Sequence, residues 1–285
     1  MKKLVNLELY KAFRNKYFIT SIIIATIVTF FNTGYVLKNY GSLQQTLTML
    51  GEYEISEIGN PYFPAFSAFS NWIGGEVYSL GYSLFFFLFP IFASLPYAWS
   101  ILEEKESGYV VQIAVRANRR KYLFAKNLAV FLSGGTCVAI PLAFNFVITL
   151  CILPAIPPDS IYPYFGQNQI SMWSDLFFEN PFCYVLLYLL LDFVFSGILA
   201  VLGAASFSIF HKKVWIILFP FLILVGVQYA ASFFTTTYEW SALRFLHPLT
   251  VWRDVNGTIV LGEAVFCLLG AIGLQVYGVK KNEIC

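Results

Sequence analysis

Six apolar runs limit the possible folds of this chain more than any other feature, because about 20 apolar residues just cross a bilayer core of ~30 Å. They cover residues 18–37, 80–102, 128–153, 182–210, 214–233 and 259–279. The fourth is longer than a span needs, so part of it is expected to tilt or to rest at an interface. The rest of the composition agrees. Charged residues make up 12% of the chain and hydrophobic ones 58%, against roughly 25% charged in soluble domains. The expectation is an all-α integral membrane protein, a single transmembrane domain over residues 1–285 with six transmembrane helices.

The basic residues fall on one side of these runs. Lys2, Lys3, Lys11, Arg14 and Lys16 precede the first, six more from Lys105 to Lys126 lie between the second and third, Lys212 and Lys213 separate the fourth and fifth, and Lys280 and Lys281 follow the sixth. The opposite side holds Lys38, Arg244 and Arg253. Positive charge retained in the cytoplasm then puts both termini there. The first run lacks a small-x-small cleavage site and is long for a signal core, so it reads as a retained anchor. Residues 1–17 place Val5, Leu9, Ala12 and Phe13 on one helical face against Glu8, Lys11, Arg14 and Lys16, the pattern of a helix lying in the headgroup region with its lysines toward anionic lipid.

The outer loops are rich in aromatics. Residues 39–79 include PYFPAFSAFSNWIGG, expected to rest on the membrane surface or to pack against the other outer loops, and 154–179 is rich in proline. Residues 234–258, of mixed polarity, suit short helices that dip into the bilayer. Small residues at 134–135, 197–205 and 270–273 permit close helix approach. Cys151 and Cys183 both fall near outer span ends, where a disulfide is conceivable, but scattered, free, buried thiols are the simpler reading.

Chemistry of its own is hard to find. There is no GxxxxGK[ST] loop, no HExxH and no GxSxG, and only His211 and His247 as histidines. No catalytic, metal-binding or cofactor-binding residue is assigned, and no nucleic-acid partner is expected. Asp192 and Glu263 are the ionisable residues within apolar runs, and an acid in a membrane is a candidate functional group by default. Arg244 or Arg253 would reach Glu263 if residues 234–258 dipped inward. The alternative for both acids is a hydrogen-bonded or protonated carboxyl that holds helices together.

The charged island at residues 102–126 is the best handle on function. Glu103, Glu104 and Glu106 end the second run, Gly108 permits a sharp change of direction, and Tyr109–Val115 reads as a short amphipathic helix presenting Val111 and Val115 to a partner groove. Arg116, Arg119, Arg120 and Lys121 follow, and Lys126 enters the third run. Acids followed by an apolar turn are more than the positive-inside rule requires.

This arrangement resembles the ABC-2 family of transporter permeases. The shared features are a basic amphipathic N-terminus, six spans, E-E-K-E-S-G-Y at residues 103–109, basic residues, and Y-L-x-x-K at 122–126. Tyr109 and Ala117-Asn118 stand where family members often carry threonine and proline. The resemblance implies that 103–115 is a cytoplasmic coupling helix docking on a separate ATPase subunit, with ATP bound by that subunit. It also implies a second permease copy or a homologous permease, giving a homo- or heterodimer, an export direction, and a bacterial cell membrane with its lipids as the setting. The rival expectation is a secondary transporter or channel working through Asp192.

Overall fold

The computed structural model describes residues 1–51, 66–116, 118–158, 172–234, 237–248 and 253–280, and within these leaves the side chains at 47, 50–51, 111, 114–116 and 279–280 aside. The fold is all-helical. Helix α1 (Lys2–Phe13) turns at Arg14-Asn15 into α2 (Lys16–Gly51). A short α3 (Ala68–Asn71) precedes α4 (Leu80–Ser94), α5 (Ser100–Glu106) and α6 (Tyr109–Arg116). Next come the long α7 (Arg119–Ile152), α8 (Ser174–Glu179) and α9 (Pro181–Ala205), which ends in a 3₁₀ turn at Ser206–Ser208. Helices α10 (Lys213–Phe233), α11 (Ala242–Phe245) and α12 (Gly257–Lys280) complete the order.

Among the described residues, five helices are long and apolar enough to cross a membrane: Lys16–Thr46, Arg119–Ile152, Pro181–Ser208, Lys213–Phe233 and Gly257–Gly278. Their exposed faces carry large apolar side chains such as Ile23, Ile27, Phe144, Leu186, Leu222 and Phe266, as lipid contact requires.

The second apolar run departs from the expected single span. It forms α4, 15 residues long, which rises only about 22 Å at 1.5 Å per residue. The chain then turns through residues 95–99 before α5 begins. Pro96 is the cause: it has no N–H for the helical ladder and its ring crowds the preceding turn. The Pro96 carbonyl instead accepts the Asn15 amide at 3.4 Å. Helices α2 and α7 are longer than their apolar runs. Helix α2 continues to Gly51, into the expected outer loop, and α7 begins at Arg119, inside the charged island.

Helices α7 and α9 form the centre, with α1, α2, α4 and α12 packed around them and α10 against α4 and α9. Glycine makes the central approach possible. A Cβ on Gly134 would lie 2.4 Å from the Cβ of Ala200, and one on Gly197 2.6 Å from the Phe131 ring. Gly273, by contrast, has nothing nearby and Gly270 meets only Leu202 at 3.6 Å among the described residues, so the two glycines of the third small-residue stretch make no close approach there, while Ala271 between them is buried.

At the end remote from α1, the described part of the aromatic stretch, residues 66–75, packs inward and against the second outer loop, while its residues 61–65 lie outside the described ones. Phe69, Trp72 and Ile73 are buried. The Ile73 amide donates to Asn145 Oδ1 at 2.8 Å, while Asn145 Nδ2 donates to the Thr29 carbonyl and to Thr33 Oγ1, each at 3.2 Å. Ser67 Oγ donates to the Ile156 carbonyl at 2.7 Å, joining the first outer loop to the second. The segment around α11 also reaches in: Ala242 and Phe245 are buried, the Phe245 ring meets Phe195 at 5.3 Å, and Glu239 N–H donates to the Asp254 carbonyl at 2.9 Å to close the loop at its base. Cys137, Cys151, Cys183 and Cys267 are free thiols.

Candidate functional site

The chain's densest charge chemistry lies where α1, α5, α6 and α7 meet. Glu8 of α1 and Lys126 of α7, 118 residues apart, both have no exposed surface. Lys126 Nζ donates to Glu8 Oε2 at 3.1 Å and pairs with Glu104 Oε2 of α5 at 2.8 Å. Lys11 Nζ donates to the second Glu104 oxygen at 2.9 Å and to Glu8 Oε1 at 3.4 Å. Tyr97 Oη donates to Glu8 Oε2 at 2.9 Å and accepts from Lys126 at 3.1 Å, and Tyr122 Oη donates to Glu104. Two carboxylates and two ammonium groups thus neutralise each other inside a hydrophobic end of the bundle. Buried charges survive only when paired and hydrogen-bonded in this way.

Local sequence explains how each group arrives. Glu8 lies three residues after Val5 and four before Ala12, on the apolar stripe of α1 that packs against α7. The break at Pro96 lets α5 bring Glu104 beneath Lys126. Asn118 caps α7, accepting the Arg120 N–H at 2.9 Å, so the helix starts two turns before Lys126. Burial alone would raise the Glu104 carboxyl, but the Lys126 charge and hydrogen bonds from Lys126, Tyr122 and Lys11 outweigh it and hold it below the usual carboxylate value. Burial works against the Lys11 ammonium too, and there Tyr109 and Glu104 prevail and raise it above the usual lysine value.

The charged island is only partly the free docking surface that its sequence suggests. Glu104 faces inward with 13% of its side chain exposed. Within the chain it neutralises Lys126 and Lys11. Glu103 is half exposed and pairs with Lys213 Nζ at the start of α10 at 2.5 Å, and that ammonium also sits 4.7 Å from the Trp99 ring centre. Glu106 is exposed. Gly108 has φ +72 and open space at its Cβ position. This is the left-handed turn that only glycine adopts without strain, and it redirects α5 into α6. Lys11 Nζ lies 3.9 Å over the Tyr109 ring, while Val110 is buried in the core. The side chains of Val111 and Val115 lie outside the described residues.

The two membrane acids stand apart from this cluster. Asp192 on α9 is 2% exposed, and among the described residues its Oδ2 has no partner; the Ser94 and Ser196 hydroxyls are likewise buried without partners there. Glu263 neighbours Glu239 and Ala242, and neither Arg244 nor Arg253 pairs with it; both arginines act on Glu239.

In the sequence Glu8 and Lys11 read as the polar face of an interfacial helix, and Lys11 and Lys126 as topology markers. The available signal was an acid on the apolar stripe of a basic helix, which burial explains and solvation does not. Tyr122 and Lys126 were already visible as the ends of Y-L-x-x-K, without a role. Comparison of the chain with protein-family models, with curated proteins and with solved structures finds no match to any of them.

Proposed function

We propose that this chain is the membrane-embedded permease subunit of an ABC transporter that works as an exporter, driven by a separate ATPase subunit that binds ATP and docks on α6 from the cytoplasm. A single observation carries the reading. The positive-φ turn at Gly108 launches a short helix whose base is clamped to three other elements: Lys11 covers Tyr109, Glu104 holds Lys126 of α7, and Glu103 holds Lys213 of α10. A push on α6 is thereby delivered to helices that run through the bundle and is not absorbed in a loose loop. Buried, fully paired charges resist separation, so the cluster moves as a unit.

On this reading α4 and α5 together make the broken second of six spans, both termini are cytoplasmic, and two such chains, identical or homologous, enclose the pathway in a cell membrane. The test is Val111→Asp, which places a charge on α6. It should abolish transport-coupled ATP hydrolysis while the chain stays folded. A substituted complex that assembles and turns over normally would remove the coupling role. The rival, a carrier or channel working through Asp192, draws on the partnerless Oδ2 of that residue. It predicts flux in proteoliposomes containing the chain alone, lost with Asp192→Asn.

A further inference from the structure

The second chemically unusual place is a cleft of about 710 Å³ at the end of α10 remote from Lys213, between the first turns of α4, the last turns of α10 and the α11 segment. Its polar lining includes Tyr82, Gln228, Glu239, Arg244, His247 and Arg253. Phe87, Val225 and Leu243 supply its apolar wall. Five of these polar groups have unmet bonding capacity. Arg244 and Arg253 both act on Glu239 through space, without a contact ion pair among the described residues. Glu239 is 7% exposed, faces the backbone amides of Trp240 and Ser241, and has no partner for Oε1. Gln228 Oε1 and His247 Nε2 are also buried without partners. Burial and the Arg244 charge push His247 down to about 3, so the ring is neutral. Its Nδ1 is engaged by Tyr82 Oη. With Tyr82 as donor there, the ring proton sits on Nε2, a buried donor without a partner among the described residues.

The unmet groups are of two kinds in one cleft. Two guanidinium groups and an imidazole N–H seek anionic oxygens, for which charge-assisted bonds are strongest. Two carbonyl-type oxygens, one of them on a buried acid, seek donors, and a primary ammonium offers three. A simple anion would leave Glu239 uncovered, and a quaternary ammonium has no N–H to offer. The apolar wall and the position at the end of two apolar helices add a hydrocarbon tail to the description. We infer that this cleft binds a phospholipid whose phosphate is followed by a primary ammonium, with the phosphate on Arg244, Arg253 and His247 and the ammonium on Glu239 and Gln228.

The inference stands apart from how the chain is driven, because binding is read on the full-length chain alone. Native mass spectrometry of the delipidated protein, titrated with phosphatidylethanolamine, phosphatidylcholine and phosphatidylglycerol, is the direct experiment. Phosphatidylethanolamine should bind about tenfold more tightly than either of the others, the effect of one or two charge-assisted hydrogen bonds. Arg244→Ala with Arg253→Ala should weaken all three, and Glu239→Gln should remove the advantage over phosphatidylglycerol alone. Equal affinity of the wild-type protein for the three lipids would overturn the proposal whether or not the variants fold. So would an advantage over phosphatidylglycerol that survives Glu239→Gln in a variant with an unchanged thermal melt. Competition by tail-free glycerophosphoethanolamine as strong as that by the lipid would overturn the lipid class.

Discussion

Lys126 has no exposed surface and lies between two carboxylates, so Lys126→Met leaves Glu8 and Glu104 to share the partly exposed Lys11 ammonium. Breaking a buried pair in this way costs about 3–5 kcal/mol, whereas removing both partners costs much less. The single substitution should lower the melting temperature of the detergent-purified chain sharply, and Lys126→Met combined with Glu8→Gln should recover part of the loss. Glu104 gives the cluster a pH signature. Its folded value is depressed below the ordinary 4.5, so its contribution is complete above that value and is lost as the pH falls through the folded one. Lys11 is raised above the ordinary 10.5, so its contribution is complete below 10.5 and fades as the pH climbs past it. Melting temperature against pH should therefore show an acid limb that Glu104→Gln flattens and an alkaline limb that Lys11→Met flattens. An unchanged acid limb in Glu104→Gln would show that another carboxylate sets it.

Helix boundaries depend on individual residues more than on average hydropathy. Gly108 was readable from sequence because a turn between an acid-rich helix end and an amphipathic segment demands a residue that tolerates positive φ. Gly108→Val should strain that turn by about 1–2 kcal/mol, and Gly108→Asn by less; limited proteolysis around α6 in the two variants would show the order. The broken second span was less readable. Hydropathy joins residues 80–102 into one run, and the missing N–H of Pro96 decides the break only in combination with what its carbonyl meets. At the α7–α9 crossing, Gly134→Ala puts a methyl 2.4 Å from that of Ala200, an overpacking worth about 1–3 kcal/mol. The equivalent change at Gly273, which faces open space, should leave the melting temperature of the isolated chain unaltered.

For the molecule as a whole, the helical class and the membrane character follow from apolar run length, which is a local property. The ion cluster and the lipid-type cleft do not, because both depend on which distant residues the topology brings together. Glu8 and Lys126 stand 118 residues apart, and the cleft draws on α4, α10 and the α11 segment. Only Arg244 and Arg253 stand out in the sequence, on the charge-poor side, whereas Glu8 reads there as part of the polar face of its helix and is buried in the fold. The central claim is that the charged end of this bundle is built to receive force from a separate ATPase. Copurification of the tagged, full-length chain from its native membranes tests this most directly. An ATPase subunit should accompany it in stoichiometric amount and be lost with Val111→Asp while the chain remains folded. Recovery of the chain without any ATPase, together with substrate flux from the chain alone that Asp192→Asn abolishes, would contradict it.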